Sequence, residues 1–375
     1  MHQPLFEVED LRIAVADSRR HGSDIPGPVT DDGEELGSGW VEVIPGASYS
    51  VRQGEVLGLV GESASGKSLM LMGAFGLLSS GARVIGGTTR YSGQEYKPFH
   101  PWQGEDDEPS RRERKQRRIA GTAVARYTDD AWAKLVGTDV GFMFQNPIGS
   151  WTPDIGIGEQ TGEALTEHYE LTVDEIEERV LDALGEVKLP RSRGLFGAFR
   201  HQLSRGMAQR AMLAAALTKA PHLLIADEPL NGLDPPVAAA IMELIRDMTV
   251  ERNMAMVFIT HDLASIARIA DRVAVVYGGA IVEVAPVGDI FHRPTHPYTS
   301  GLVGSIPGFS EGRLRQIEGE APMLTEVART ACSFADRCPY VSDVCRSSEP
   351  SLSSVEGSEV RCHLAADLEL PGIGS

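Results

Sequence analysis

No stretch of the chain approaches the roughly 18 to 20 uninterrupted apolar residues that a membrane-spanning helix requires, so none is expected to cross a bilayer. The opening also lacks the pattern of a secretion signal. Met1 to Arg12 instead contains Leu5-Phe6-Glu7-Val8-Glu9-Asp10-Leu11, the alternation of a half-buried strand. The expected place is therefore the cytosol, unless another protein holds the chain at a membrane. Positive charge is short: 35 Lys and Arg stand against 53 Asp and Glu, a net −18 that repels nucleic-acid phosphates. One basic run, Arg111-Arg112-Glu113-Arg114-Lys115-Gln116-Arg117-Arg118, goes the other way. It follows Glu105-Asp106-Asp107-Glu108 and reads as a solvated charged loop, with an anionic-lipid or nucleic-acid contact as the minority alternative. Cysteine is scarce as well. The 4 present all fall between Cys332 and Cys362, which in a reducing compartment points to a metal or cluster site sooner than to disulfides. No internal repeat is present.

What remains is ordinary globular material: 375 residues, 42% hydrophobic and 23% charged, enough for two or three domains with their own cores. Val56-Leu57-Gly58-Leu59-Val60 has the apolar continuity of a buried parallel strand. A Gly-rich loop and a helical stretch from Leu69 to Leu78 follow. Val140 to Gln145 reads as a strand, and the pattern is then helical from Asn146 to Thr218, with acids between the apolar positions of Val173 to Val187. Leu223 to Ala226, Ala255 to Ile259 and Val273 to Tyr277 read as further buried strands, separated by helical stretches over Val237 to Met248 and Leu263 to Ala270. Such alternation predicts an α/β domain with a largely parallel sheet. Residues 17–40 and 92–134 are polar, with little periodicity, and read as surface insertions. After Val284 come prolines, glycines and the cysteine segment, read as a second, smaller unit.

Gly61-Glu62-Ser63-Ala64-Ser65-Gly66-Lys67-Ser68 fits the P-loop pattern G-x-x-x-x-G-K-S/T. Its glycines let backbone N–H groups turn toward phosphate oxygens, and the following helix aims its positive end at them. Lys67 supplies a cation for the β- and γ-phosphates, and the Ser68 hydroxyl can ligate Mg²⁺. Leu223 to Pro229 is an apolar strand that ends in two acids. Asp227 can hold the Mg²⁺ directly or through water, leaving Glu228 to orient and deprotonate the attacking water.

Four further segments carry a family resemblance. Leu203-Ser204-Arg205-Gly206-Met207-Ala208-Gln209-Arg210 resembles the signature motif of ATP-binding-cassette (ABC) proteins. Gln145 matches their Q-loop glutamine, Asn231-Gly232-Leu233-Asp234 resembles the D-loop, and His261 after Phe258-Ile259-Thr260 matches the switch histidine. The resemblance implies an ABC-type P-loop NTPase fold: a mainly parallel core sheet, an antiparallel N-terminal sheet and a helical subdomain over about 146–220. It also implies a head-to-tail ATPase dimer. Each ATP would lie between one P-loop and the partner's Ser204 and Gly206; Gln145 would sense Mg²⁺ and the lytic water, and His261 would reach the γ-phosphate. Trp40 is the nearest aromatic for stacking on adenine. Arg205 stands where the family usually has Gly. Either its side chain points away from phosphate, or the site completed by this signature is weakened.

The same loop, Phe144-Gln145-Asn146-Pro147, His201-Gln202-Leu203-Ser204 and above all Arg293-Pro294-Thr295-His296-Pro297-Tyr298-Thr299 look like the ATPases of dipeptide and oligopeptide importers. In that group the last motif leads into a cysteine-bearing extension, placing the ATPase domain at 1–285 and a loop-rich extension at 286–375. The spacing C-x5-C-x6-C-x16-C through Cys332, Cys338, Cys345 and Cys362 has none of the close pairs usual at structural zinc. It suits a 4Fe–4S cluster at least as well, and the related importers are similar in carrying one; zinc and unliganded thiols are the alternatives. His363 is read as outside the ligand set. The partners implied are a second ATPase subunit in a heterodimer, two transmembrane permeases met through Phe144 to Pro153, and an extracellular substrate-binding protein, with no nucleic acid. The chain would then be peripheral, on the cytoplasmic side of the cell membrane, hydrolysing ATP to drive peptide import. Other readings are import of a metal chelate or glutathione, and, less favoured, a soluble ABC ATPase acting on nucleic acid.

Overall fold

The computed structural model describes residues 3–17, 19, 27–79, 81–96, 130–306, 316–327 and 329–373. The basic run at 111–118 and the insertion from 97 to 129 lie outside the described residues, as do 18 and 20–26 of the earlier insertion. The described strands are β1 (Phe6–Ala16), β2 (Trp40–Val51), β3 (Val56–Val60), β4 (Ala82–Tyr91), β5 (Gln94–Tyr96), β6 (Val140–Met143), β7 (Leu223–Asp227), β8 (Ala255–Thr260), β9 (Arg272–Tyr277), β10 (Ala280–Pro286), β11 (Ser353–Val355) and β12 (Ser358–Val360). Among them β3, β6, β7, β8 and β9 match the strands read from apolar continuity to within a few residues. By its internal contacts the chain divides into two compact units.

The first unit comprises 1–50, 56–103 and 259–375. It holds an antiparallel sheet in the order β2–β1–β4–β5, with β1 and β4 in register from Phe6 opposite Tyr91 to Val15 opposite Ala82. Alternation along β1 buries Phe6, Val8, Leu11 and Ile13. Phe6 stacks on Phe75, just past helix Lys67–Ala74, with ring centroids 4.8 Å apart. The unit also holds the run β11–β12–β10–β9–β3. Here β3 and β9 are parallel, Leu57 opposite Arg272 and Val60 opposite Val275, and every β3 residue is buried. β10 turns back antiparallel on β9, and β12 pairs with β10 through Glu283 opposite Val360. The cysteine segment belongs by its contacts to this unit.

The second unit comprises 51–55 and 104–258. β6 and β7 run parallel, Val140 opposite Leu223 and Met143 opposite Ala226. Its helices include Ile157–His168, Val173–Glu186, Arg205–Leu217 and Pro235–Glu251. Their boundaries follow local chemistry. Thr172 and Glu175 form a reciprocal capping box at the start of Val173–Glu186, and Pro235 occupies the first position after Asp234. Helix Arg205–Leu217 buries Ala208, Ala211, Ala214 and Ala216; such small side chains let it pack closely on β6. Among the described residues no helix is long and apolar enough to cross a membrane.

Candidate functional site

In the first unit the loop after β3 is drawn closed around Lys67. Its ammonium donates to the Gly61 carbonyl at 2.9 Å, the Glu62 carbonyl at 2.9 Å and Ser65 Oγ at 3.3 Å, and the side chain is only 5% exposed. Two glycines make this arc possible. A Cβ on Gly61 would lie 2.1 Å from the Val276 carbonyl oxygen, and Gly66 has φ +104°, which side-chain-bearing residues rarely adopt. The Gly279 N–H donates to the Ser65 carbonyl at 2.9 Å, fastening the loop to the turn between β9 and β10. An anion cradle with a buried cation at its centre results. His261 is exposed beyond β8, and the carboxylate of Asp262 caps helix Leu263–Ile269 by accepting from Ala264 N–H at 3.0 Å. Trp40 opens β2 half-buried against Ala14, Leu36 and Ile85, while it is Ile44 whose Cδ1 approaches Gly66.

In the second unit β7 delivers its two acids in different settings. Asp227 is 4% exposed at the end of a fully buried strand, whereas the half-exposed Glu228 has φ +46°. That left-handed backbone costs about 1–3 kcal/mol for a residue with a side chain. The Asn231 N–H donates to the Glu228 carbonyl at 3.1 Å and so closes the turn that holds it. Gln145 is exposed just past β6. Ser204 caps helix Arg205–Leu217, its hydroxyl accepting from Met207 N–H at 3.2 Å. Ser204 and Gly206 share a groove of about 420 Å³ with Lys188, Arg205, Arg210 and Asp234. Three cations on its wall suit it to a polyanion.

The fate of Arg205 is specific. Its Nη1 donates to the Gly232 carbonyl at 3.2 Å, so the guanidinium is turned onto the turn at Asn231 to Asp234. Arg205→Gly removes that tie and opens the groove. The expected result is a rise in ATPase activity of the assembled complex, read by phosphate release at saturating ATP; unchanged turnover would show that the arginine does not restrain the site.

The cysteine segment forms a second constellation within the first unit. Cys332, Cys338, Cys345 and Cys362 line one cavity together with His296, Phe334 and Tyr340. The Cys332 N–H donates to the Cys345 carbonyl at 2.9 Å, and Cys345 is 6% exposed. Burial, and then the neighbouring thiols, raise the pKa of Cys332, Cys338 and Cys362. All four are free thiols, and among the described residues no group of three or more His, Cys, Asp or Glu is arranged to hold a single metal ion. The Nε2–H of His363 is engaged by the Ser348 carbonyl at 3.0 Å. His296 is buried and neutral: desolvation pushes its pKa down to about 3, and its Nδ1 accepts from Tyr298 N–H at 3.0 Å.

Three residues of these sites carried no sequence signal of a role. Arg337 is a lone arginine between two cysteines, and Glu283 looks like a strand residue among many. Tyr298 lies inside a motif that marks the group without stating a mechanism.

The chain is similar to known transport ATP-binding proteins over most of its length. The ABC transporter profile matches residues 44–231, and that of the oligopeptide/dipeptide transporter C-terminal region matches 282–345. The chain is 37% identical over 318 residues to the dipeptide transport ATP-binding protein DppD of Haemophilus influenzae, covering 84% of this chain and 88% of the relative. It is 35% identical over 328 residues to the oligopeptide transport ATP-binding protein AppD of Bacillus subtilis, covering 86% and 91%. A dimeric ATP-binding cassette solved in a post-hydrolysis state with ADP and phosphate shares the fold, at TM-score 0.54 and 20% identity over 75% of this chain and 98% of that one. The chain thus belongs to the ABC transporter family as an ABC-type ATPase that carries the oligopeptide/dipeptide transporter C-terminal region.

Proposed function

We propose that this chain hydrolyses ATP to energise peptide import, working with a second ATPase subunit, two transmembrane permeases and an extracellular binding protein. The observation that carries the reading is the joint presence of the closed Gly61–Ser68 cradle and the C-terminal four-thiol segment in one compact unit. In this reading the arc from Gly61 to Ser68 binds the phosphates, Lys67 exchanging its loop carbonyls for phosphate oxygens. Ser68, Asp227 and Gln145 would hold Mg²⁺, which neutralises charge on the β- and γ-phosphates. Glu228 takes the proton of the attacking water, and His261 donates to the γ-phosphate. Ser204 and Gly206 complete the site of a partner subunit. The exposed Phe144, stacked on Phe142 at 5.7 Å, presents an apolar surface to the permease.

The residues around the cysteines fit a 4Fe–4S cluster better than one zinc ion. Four thiols line one cavity, and their spacing in the chain has none of the close pairs usual at structural zinc. A cluster would supply iron–thiolate bonds that staple a tail with little core of its own. Anaerobic purification should yield about four iron atoms per chain and a broad visible absorption. Cys345→Ser should lose most of both. Stoichiometric zinc in their place would overturn this assignment.

The functional test uses the complex reconstituted in vesicles with its neighbouring permeases and binding protein. Peptide-loaded binding protein should stimulate ATPase activity several-fold and drive peptide uptake. Stimulation by nucleic acid in place of peptide would refute the reading.

A further inference from the structure

We propose that Arg337, carried by the C-terminal extension, is a positioning residue for the P-loop, and that through it the four-thiol segment sets the affinity for ATP. This rests on the reading of Gly61 to Ser68 as the ATP-gripping loop. Arg337 grips Glu62, the second residue of that loop, with both arms of its fork: Nη1 to Oε2 at 2.7 Å and Nη2 to Oε1 at 3.1 Å. Its side chain is 6% exposed. The remaining three donors are also used, Nε on the Glu318 carbonyl at 2.9 Å, Nη2 on the Gly319 carbonyl at 3.2 Å and Nη1 on Tyr277 Oη at 3.4 Å. The guanidinium lies 5.7 Å from the centre of the Tyr277 ring. A bidentate, buried, fully donated arginine has one position available to it.

Both ends of this clamp lead to chemistry. Arg337 ends the short turn Ala335–Arg337, so Cys338 follows directly, and the Ala335 N–H donates to the Cys332 carbonyl at 3.0 Å. Phe334, at the head of the turn, packs edge-on to Tyr277 at 5.0 Å and against Tyr298 at 5.4 Å. At the other end, the Glu62 carbonyl accepts from Lys67, and its N–H donates to Tyr298 Oη at 2.9 Å. Arg337 and Glu62 thus link Cys338 to Lys67 directly.

Charge gives the clamp a second consequence. Glu62 is a carboxylate inside a loop that must accept a polyanion, and Arg337 neutralises it. Without Arg337 the loop keeps its shape less firmly, and an uncompensated negative charge is left within it.

The test measures the dissociation constant of a fluorescent ATP analogue on the full chain purified with its partner subunits. Arg337→Ala should weaken binding about ten-fold or more, while Arg337→Lys, which keeps the charge and loses the fork, should weaken it less. Adding Glu62→Gln to Arg337→Ala should recover most of the loss, because the unpaired carboxylate is then gone. Cys338→Ser should weaken binding in the wild type but add little to Arg337→Ala. If Arg337→Ala does not fold, Arg337→Gln takes its place. Unchanged affinity in the single variant, or a double variant as weak as the single, overturns the proposal. Lys67→Ala serves as the control for the underlying reading: it must abolish binding, and if it does not, the loop assignment fails and not the clamp.

Discussion

Replacing Glu228 by glutamine should lower ATP turnover by roughly 10²–10⁴-fold, the usual contribution of a positioned general base, and leave ATP bound. The argument begins with shape. Glutamine matches the carboxylate in size and can still orient water through its amide oxygen, but it cannot take the proton. The left-handed backbone at Glu228, φ +46°, is retained because the Asn231 N–H bond to its carbonyl closes the turn. Asp227, buried at the end of β7, keeps its own contacts. Binding and chemistry therefore separate: equilibrium binding of ATP to the variant complex stays near that of the parent, phosphate release collapses, and peptide uptake stops. Retention of near-normal turnover would remove Glu228 from this role. A parallel fall in ATP affinity would mean that the substitution had disturbed the strand end instead.

The legible parts of this protein are those whose chemistry is local. Val56–Val60 is a strand because its apolar residues are continuous, and Lys67 must be enclosed because the residues before it are a loop built for N–H groups to converge. Thr172 with Glu175 announces a helix start within four residues. Arg205 was visible as a departure, but not its bond to Gly232, since a long side chain leaves its destination open. Least legible were the contacts that join distant segments. Glu62 and Arg337 are far apart in sequence, and no spacing rule links a P-loop acid to an arginine between cysteines. The cysteine spacing pointed to a shared site; their gathering around one cavity depends on β12 pairing with β10, which a three-residue strand does not advertise.

Glu283 offers the second large effect, on stability. It lies in β10 at 0% exposure, yet it is a carboxylate. Thr295 donates to its Oε1 from both N–H and Oγ1 at 2.8 Å, and the His296 N–H donates to Oε2 at 2.8 Å. Burial raises its pKa, and these donors pull it back down. Glu283→Ala leaves three buried donors without an acceptor, and about 3–5 kcal/mol of stability should be lost, the scale for breaking a buried charged network by removing one member. Glu283→Gln is the finer probe. Its amide oxygen serves one side, but its NH₂ must face a donor on the other, at a cost of about 1–3 kcal/mol. The pH dependence has a defined sign. Because the folded pKa is raised, the unfolded chain releases the proton first, so stability from this group is full below the ordinary carboxylate range and falls as pH rises through the folded value. The gap between the parent and Glu283→Gln should therefore narrow with rising pH. Hydrogen exchange at Val360 and His296 reads the loss locally. The same carboxylate explains why Thr295, His296 and Tyr298 stand together in one motif: two bond to Glu283, and the third bonds to Glu62 of the P-loop. Faster exchange confined to β12, with the P-loop amides unaffected, would show that the motif anchors the extension alone; acceleration at both is the expected result.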